Sequence, residues 1–156
     1  MSRLRRGFER LLEGLVIGLM AALAGVVLLA IAFRKAGASL VWYDEIAAIL
    51  LAWLTYYGAA LAALKRAHIG FPRIVQSAPP HARTALIAIR ALAVIGFFGL
   101  VAWAGWRVLG ALSGLTLGSL PWLPTQVTQS VIPIGAVLFI IAEGLNAAEA
   151  RREPTA

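Results

Sequence analysis

The stretch that decides the fold is VWYDEIAAILLAWLTYYGAALAALKRAHIGF, Val41 to Phe71. Asp44 and Glu45 stand near its left end, and Lys65, Arg66 and His68 near its right. Between them run nineteen residues, Ile46 to Leu64, without a charge. A hydrocarbon layer about 30 Å thick takes about 20 residues of helix to cross. The segment is therefore predicted to be a membrane-spanning helix. Its acids sit at the positive end of the helix dipole and its bases at the negative end, where each is stabilising.

The rest of the chain repeats this pattern. Of its 156 residues, 61% are apolar and 13% charged, against nearly twice that charged fraction in soluble domains. Gly14–Phe33 is a second uncharged run, and Val108–Ala142 a longer one punctuated by Gly110, Gly114, Gly118, Pro121 and Pro124. The reading is an all-α, polytopic membrane protein, a single domain over residues 1–156. Four transmembrane helices are predicted at about 14–33, 44–64, 85–106 and 127–146, with a connection over 65–84. The first run is too long for a signal-peptide core and lacks a small-residue cleavage pattern before Arg34 and Lys35, so it reads as a retained span.

The net charge of +7 follows the spans and gives no sign of nucleic-acid binding. Eleven bases fall on the side holding both termini and the 65–84 connection, and Arg34, Lys35 and Arg107 fall on the other. The positive-inside rule then makes both termini cytoplasmic. Trp42, Trp103, Trp106 and Trp122 fall at the opposite, outer ends of the spans, as an aromatic belt requires.

Small residues mark helix-packing surfaces in lipid. Ala48, Ala52, Thr55, Ala59 and Ala62 recur at helical spacing, as do Gly14, Gly18, Ala22 and Gly25, and less clearly Gly96 and Gly99. They predict a tight four-helix bundle. Trp53, Tyr56 and Tyr57 lie near mid-membrane, and their polar groups need partners that lipid tails do not offer. They face either the bundle's own interior or another polypeptide. Arg90 and Glu143 lie at similar depth on successive spans. They form an intramembrane ion pair, or else each reaches separately for the interface.

Catalytic chemistry is missing. The chain has no cysteine, so no disulfide or thiolate metal site. His68 and His81 both lie in the connection, whereas a haem-binding bundle carries histidines within its spans. No nucleophile, zinc or phosphate-loop motif appears, and no cofactor or metal is expected. A self-sufficient transporter needs an ionisable group in mid-membrane, and here none is present. The alternative, a small dimeric four-span exporter of the multidrug type, would have to use Glu13 at a span edge.

The opening stretch resembles the signature region of the DctQ-like small membrane subunit of tripartite ATP-independent periplasmic (TRAP) transporters. The residues that carry the resemblance are Trp42, Asp44-Glu45, Trp53, Gly58-Ala59-Ala60, Lys65-Arg66 and His68-Ile69, then Gly105-Trp106 and Pro133-Ile134-Gly135. Ala47-Ala48-Ile49 stands where the family often has an arginine, and Gly70-Phe71-Pro72 where it usually has an acid. The resemblance implies a scaffold subunit, not an enzyme, in a bacterial inner membrane. Its partners would be a large multi-span transport subunit, a periplasmic substrate-binding receptor and membrane lipids, in sodium-driven uptake of an organic acid. It makes Trp53, Tyr56 and Tyr57 candidates for the large-subunit interface. Arg34, Lys35, Asp44 and Glu45, which bracket a short outer connection, become candidates to face the receptor. In that reading Arg34 and Asp44 are mainly structural, with Lys35 and Glu45 open to the receptor.

Overall fold

In the computed structural model, which describes residues 3–65 and 79–150, five helices follow one another. They are α1 (Arg3–Lys35), α2 (Tyr43–Leu64), α3 (Pro80–Ala111), α4 (Thr125–Gln129) and α5 (Val131–Ala150). Most of the 65–84 connection, with Arg66, His68-Ile69 and Arg73, lies outside the described residues, as do Arg151 and Arg152. Four stretches are long and apolar enough to cross a membrane: Arg5–Lys35, Tyr43–Leu64, Ala88–Ala111 and Thr125–Ala148. The fold is all-α with four spans, as the charge-free runs predict.

The helices outrun those runs. At about 1.5 Å per residue, the 33 residues of α1 extend ~50 Å, well beyond a hydrocarbon layer. Its first three turns, Arg3 to Glu13, carry charges and continue past the apolar segment. It ends with Arg34 and Lys35 in its last turn, where cations suit the dipole. Gly37 then takes φ 78°, and the Ala38 N–H returns to the Phe33 carbonyl, closing the helix with a left-handed cap. The fourth span is broken. Pro133 has no N–H to offer the carbonyl four residues earlier, and the helix restarts at Val131 after the single turn of α4.

The helices do not close into the expected four-helix bundle. α1 packs on α2, α2 on α5, and α5 on α3, and no other pair of long helices packs along its length. The result is a layer one helix thick, ordered α1–α2–α5–α3. Its core lies along the two inner helices, where Tyr57, Ala60, Ala63 and Leu64 of α2 meet Val131, Phe139 and Ala142 of α5. Leu12 joins from α1, and Phe98 of α3 stacks on Phe139 with ring centroids 3.8 Å apart.

The small-residue stripes need correction. Gly14, Gly18 and Gly25 face open space on the edge helix α1, as do Gly96 and Gly99 on α3, while Ala48 and Thr55 of α2 are exposed. Small size permits close packing but does not say which face is used. The close approaches occur at two other glycines. A β-carbon on Gly135 would lie 2.7 Å from the β-carbon of Tyr56, and one on Gly105 would lie 2.9 Å from Pro133 Cδ. Gly135→Ala should therefore destabilise the chain by about 1–3 kcal/mol through overpacking. Gly96→Ala should be neutral or slightly stabilising, since nothing obstructs it and alanine is the better helix former. Unfolding in mixed detergent micelles, followed by circular dichroism, checks the contrast.

Candidate functional site

A layer has no enclosed interior, so its polar side chains collect near the two ends. One end joins the start of α1 to the ends of α2 and α5. The last carbonyls of a helix have no partner within it. Here Arg5, only 7% exposed, supplies one: its Nη2 donates to the Leu64 carbonyl at 2.8 Å and lies 3.5 Å from Asn146 Oδ1. Asn146 Nδ2 donates in turn to the Ala63 carbonyl at 2.7 Å. Three helices are thereby tied at one point. Lys65 continues the tie, bonded to Glu13 and 3.9 Å from Glu9. The bond from Glu13 raises the Lys65 pKa above the usual lysine value. The ammonium contact is therefore complete at neutral pH and is lost as pH rises through that raised value. On the far side of the layer, Arg90 Nη2 lies 3.5 Å from Glu143 Oε1. Arg90 remains 70% exposed, so this pair sits at an edge of the layer and not within it.

Trp53, Tyr56 and Tyr57 lie in the α2–α5 seam. The indole Nε1 of Trp53 donates to the Thr128 carbonyl at 2.9 Å. Thr128 belongs to the five-residue α4, whose last carbonyls have no helix ahead of them to use. Tyr56 lies on Gly135, and Tyr57 is buried against Trp53, their rings edge-on with centroids 6.2 Å apart. These contacts lie within the chain's own α2–α5 seam, and Trp53 and Tyr56 remain only partly buried. The acceptor for Trp53 could not be read in advance, because it is a main-chain carbonyl at a helix break.

The other end is built around Glu45. Its carboxylate accepts the Ser119 N–H at 3.2 and 3.4 Å and the Ser119 hydroxyl at 2.5 Å. Ser119 is the tip of a compact connection between α3 and α4. Its limbs are joined by the Leu117 N–H to the Leu123 carbonyl, the Thr125 N–H to the Leu115 carbonyl, and a bridge between Thr116 and Pro124. Gln126 Nε2 bonds the Leu109 carbonyl and secures the same connection to α3. Arg34 donates to the Tyr43 hydroxyl at 2.7 Å and lies over that ring, closing the α1–α2 turn. Lys35 and Asp44 are exposed and have no hydrogen bond or ion pair with any described residue.

Of the four charges that bracket the α1–α2 connection, Arg34 is bonded to Tyr43 and Glu45 to Ser119, while Lys35 and Asp44 are exposed without a partner among the described residues. Serine 119 carried no signal in the sequence, because its role depends on how a loop folds back over α2.

No group of three or more His, Cys, Asp or Glu side chains suited to a metal occurs among the described residues. The residues from Arg34 to Asn146, with the α2–α5 seam and the end built around Glu45, fall inside one family match. Residues 23–153 match the model of the DctQ component of tripartite ATP-independent periplasmic transporters. The chain belongs to the DctQ family. No curated protein matches it at a significant level. Membership makes it a small TRAP transporter subunit, a component of a transporter and not of an enzyme family. Among the residues quoted from its sequence for this resemblance, Gly105, Pro133 and Gly135 are the ones that bring α3, α5 and α2 into closest approach.

Replacing Glu45 with glutamine weakens a charge-assisted set of hydrogen bonds, each worth about 1.5–3 kcal/mol when fully formed. In Glu45→Gln, the amides of Leu117, Leu123 and Thr125 should exchange hydrogen about tenfold faster than in the parent, with helix content unchanged. Hydrogen-exchange mass spectrometry in detergent reads this directly.

Proposed function

We propose that this DctQ-family chain is the small scaffold subunit of a sodium-driven, receptor-dependent TRAP transporter that imports an organic acid. It acts as one four-span unit in a bacterial inner membrane, with both termini cytoplasmic. It braces the large transport subunit and contributes to the surface on which the periplasmic receptor docks. The observation that carries this reading is the family match over residues 23–153, joined to a membrane interior with no charged side chain at mid-depth among the described residues. Import needs a substrate and ion site within the bilayer, which a partner must then supply.

In this reading Trp53, Tyr56 and Tyr57 serve the large-subunit interface by setting α2 firmly against α5. Lys35 and Asp44 are the outer charges open to the receptor, on a surface that Arg34 and Glu45 hold in shape. Arg90 and Glu143 join α3 to α5 near the inner boundary. The exporter reading is less well supported. Glu13, the carboxylate it would need, is bonded to Lys65 at one end of the layer.

The chain should co-purify with a large membrane protein and catalyse no uptake when reconstituted alone. With that partner and a receptor present, uptake of an organic acid should require sodium. Sodium-driven uptake by the purified small chain by itself would exclude a scaffold role. Orientation has its own check, since the chain has no cysteine. Ser39→Cys should react with an impermeant thiol reagent in intact cells, and Ala148→Cys should not.

A further inference from the structure

The first three turns of α1 lie outside the family match, which begins at residue 23. They hold four arginines and two glutamates: Arg3, Arg5, Arg6, Glu9, Arg10 and Glu13. Arg5 is buried at the tie with Leu64 and Asn146. Glu9 and Glu13 are turned to Lys65, just past the end of α2. Arg3, Arg6 and Arg10 recur at helical spacing, so they share one face of α1. All three are exposed, and among the described residues none has a hydrogen bond or ion pair.

Two physical facts make this face unusual. Among the described residues the nearby acids, Glu9 and Glu13, are committed to Lys65 and leave this positive charge unpaired. Basic residues at a helix N-terminus also meet the positive end of the dipole, and the first turn of α1 has no acid to offset them. The three arginines therefore raise the energy of the isolated helix. α1 is an edge helix, packed along its length on α2, so among the described residues no other long helix lies along the basic face. The face starts at Arg10, about 6 Å before the apolar run that begins at Gly14 and so at headgroup depth, and runs outward from there to Arg6 and Arg3.

We propose that Arg3, Arg6 and Arg10 form a binding site for acidic phospholipid headgroups. Each guanidinium offers paired N–H donors to phosphate oxygens, and the acyl chains of the same lipid lie along the exposed apolar surface of Ile17 and Leu28, which continue the same helix face. Membrane orientation alone requires a surplus of bases near the span. It does not require three of them on one face with the acids of the same turns withdrawn from it. The proposal is independent of the transport role, because it concerns residues before the family match and a ligand present in the bilayer.

The test measures the selectivity of the full chain for spin-labelled phosphatidylglycerol over spin-labelled phosphatidylcholine, by electron paramagnetic resonance in phosphatidylcholine vesicles. Acidic-lipid attraction amounts to roughly a fivefold gain per basic residue near the surface, so the parent should show marked selectivity that falls as inert salt is raised. R3Q/R6Q/R10Q should lose most of it, and R34Q/K35Q at the other end of the same helix should keep it. Selectivity that is absent in the parent, or that is insensitive to salt, would overturn the proposal without any variant. So would equal loss in both sets of variants, which would mean diffuse charge attraction. Displacement of the labelled lipid by inorganic phosphate at matched ionic strength would assign the site to a free anion instead.

Discussion

Tyr56 of α2 lies directly on Gly135 of α5, and one added β-carbon there would force the two helices apart. This close approach sets the distance between the inner helices, and the rest of the layer is hung from it. At that spacing Trp53 reaches the Thr128 carbonyl on one side of the contact, and Asn146 reaches the Ala63 carbonyl on the other. The outer helices are then added to an existing pair. α1 arrives with Leu12 and Arg5, and α3 with Phe98 and Gly105. Without a hydrophobic driving force between helices in lipid, such contact and hydrogen bonding must supply the cohesion.

The same solvent explains where the polar contacts fall. A hydrogen bond left unmade costs most in the hydrocarbon and less near water. The charged ties accordingly occupy the ends: Arg5, Lys65 and the Arg90–Glu143 pair at one, Glu45 and Arg34 at the other. Between them the seam is made of alanine, glycine and aromatic rings. Trp53 is the exception, and it is tolerated because a break in the fourth span exposes a carbonyl to it. Pro133, which imposes that break, is also the residue against which Gly105 of α3 packs. One proline in the first turn after the break thus gives α3 its closest contact.

Much of this was legible in the chain. Charge-free runs of about twenty residues leave little freedom in lipid, so the four spans could be read directly. Arg90 and Glu143 could be set at one depth by counting residues. The arrangement of the helices was not legible in the same way. A stripe such as Gly14, Gly18 and Gly25 is equally compatible with packing inward or facing outward, and periodicity cannot choose between them. Glu45 and Ser119 lie 74 positions apart. Their contact depends on the path of a loop, for which no helical or strand period exists. Expecting a closed bundle had a physical basis in soluble proteins, where water drives helices to hide every apolar face. In lipid that drive is absent, and a single layer is permitted.

A single layer also limits what the chain can do unaided. Alternating access requires a polar site that two rigid parts can enclose in turn, and a row of helices meeting edge to edge has nothing to enclose. What it has is two broad apolar faces, on which Leu28, Leu51, Leu92, Leu100 and Val137 stand exposed to whatever lies alongside. Its rigidity comes from ties at both ends and a close seam between. Such an object resists bending and shear in the plane of the bilayer while leaving its faces free. Those are the mechanical properties that the proposed bracing role would require. The α3–α4 connection follows the same logic, since Glu45 fixes its shape, and in the proposed docking role Lys35 and Asp44 would stand beside a surface already ordered before the receptor arrives. Preorganisation of that kind lowers the entropy lost on docking, which is a gain in affinity that adds no new contact.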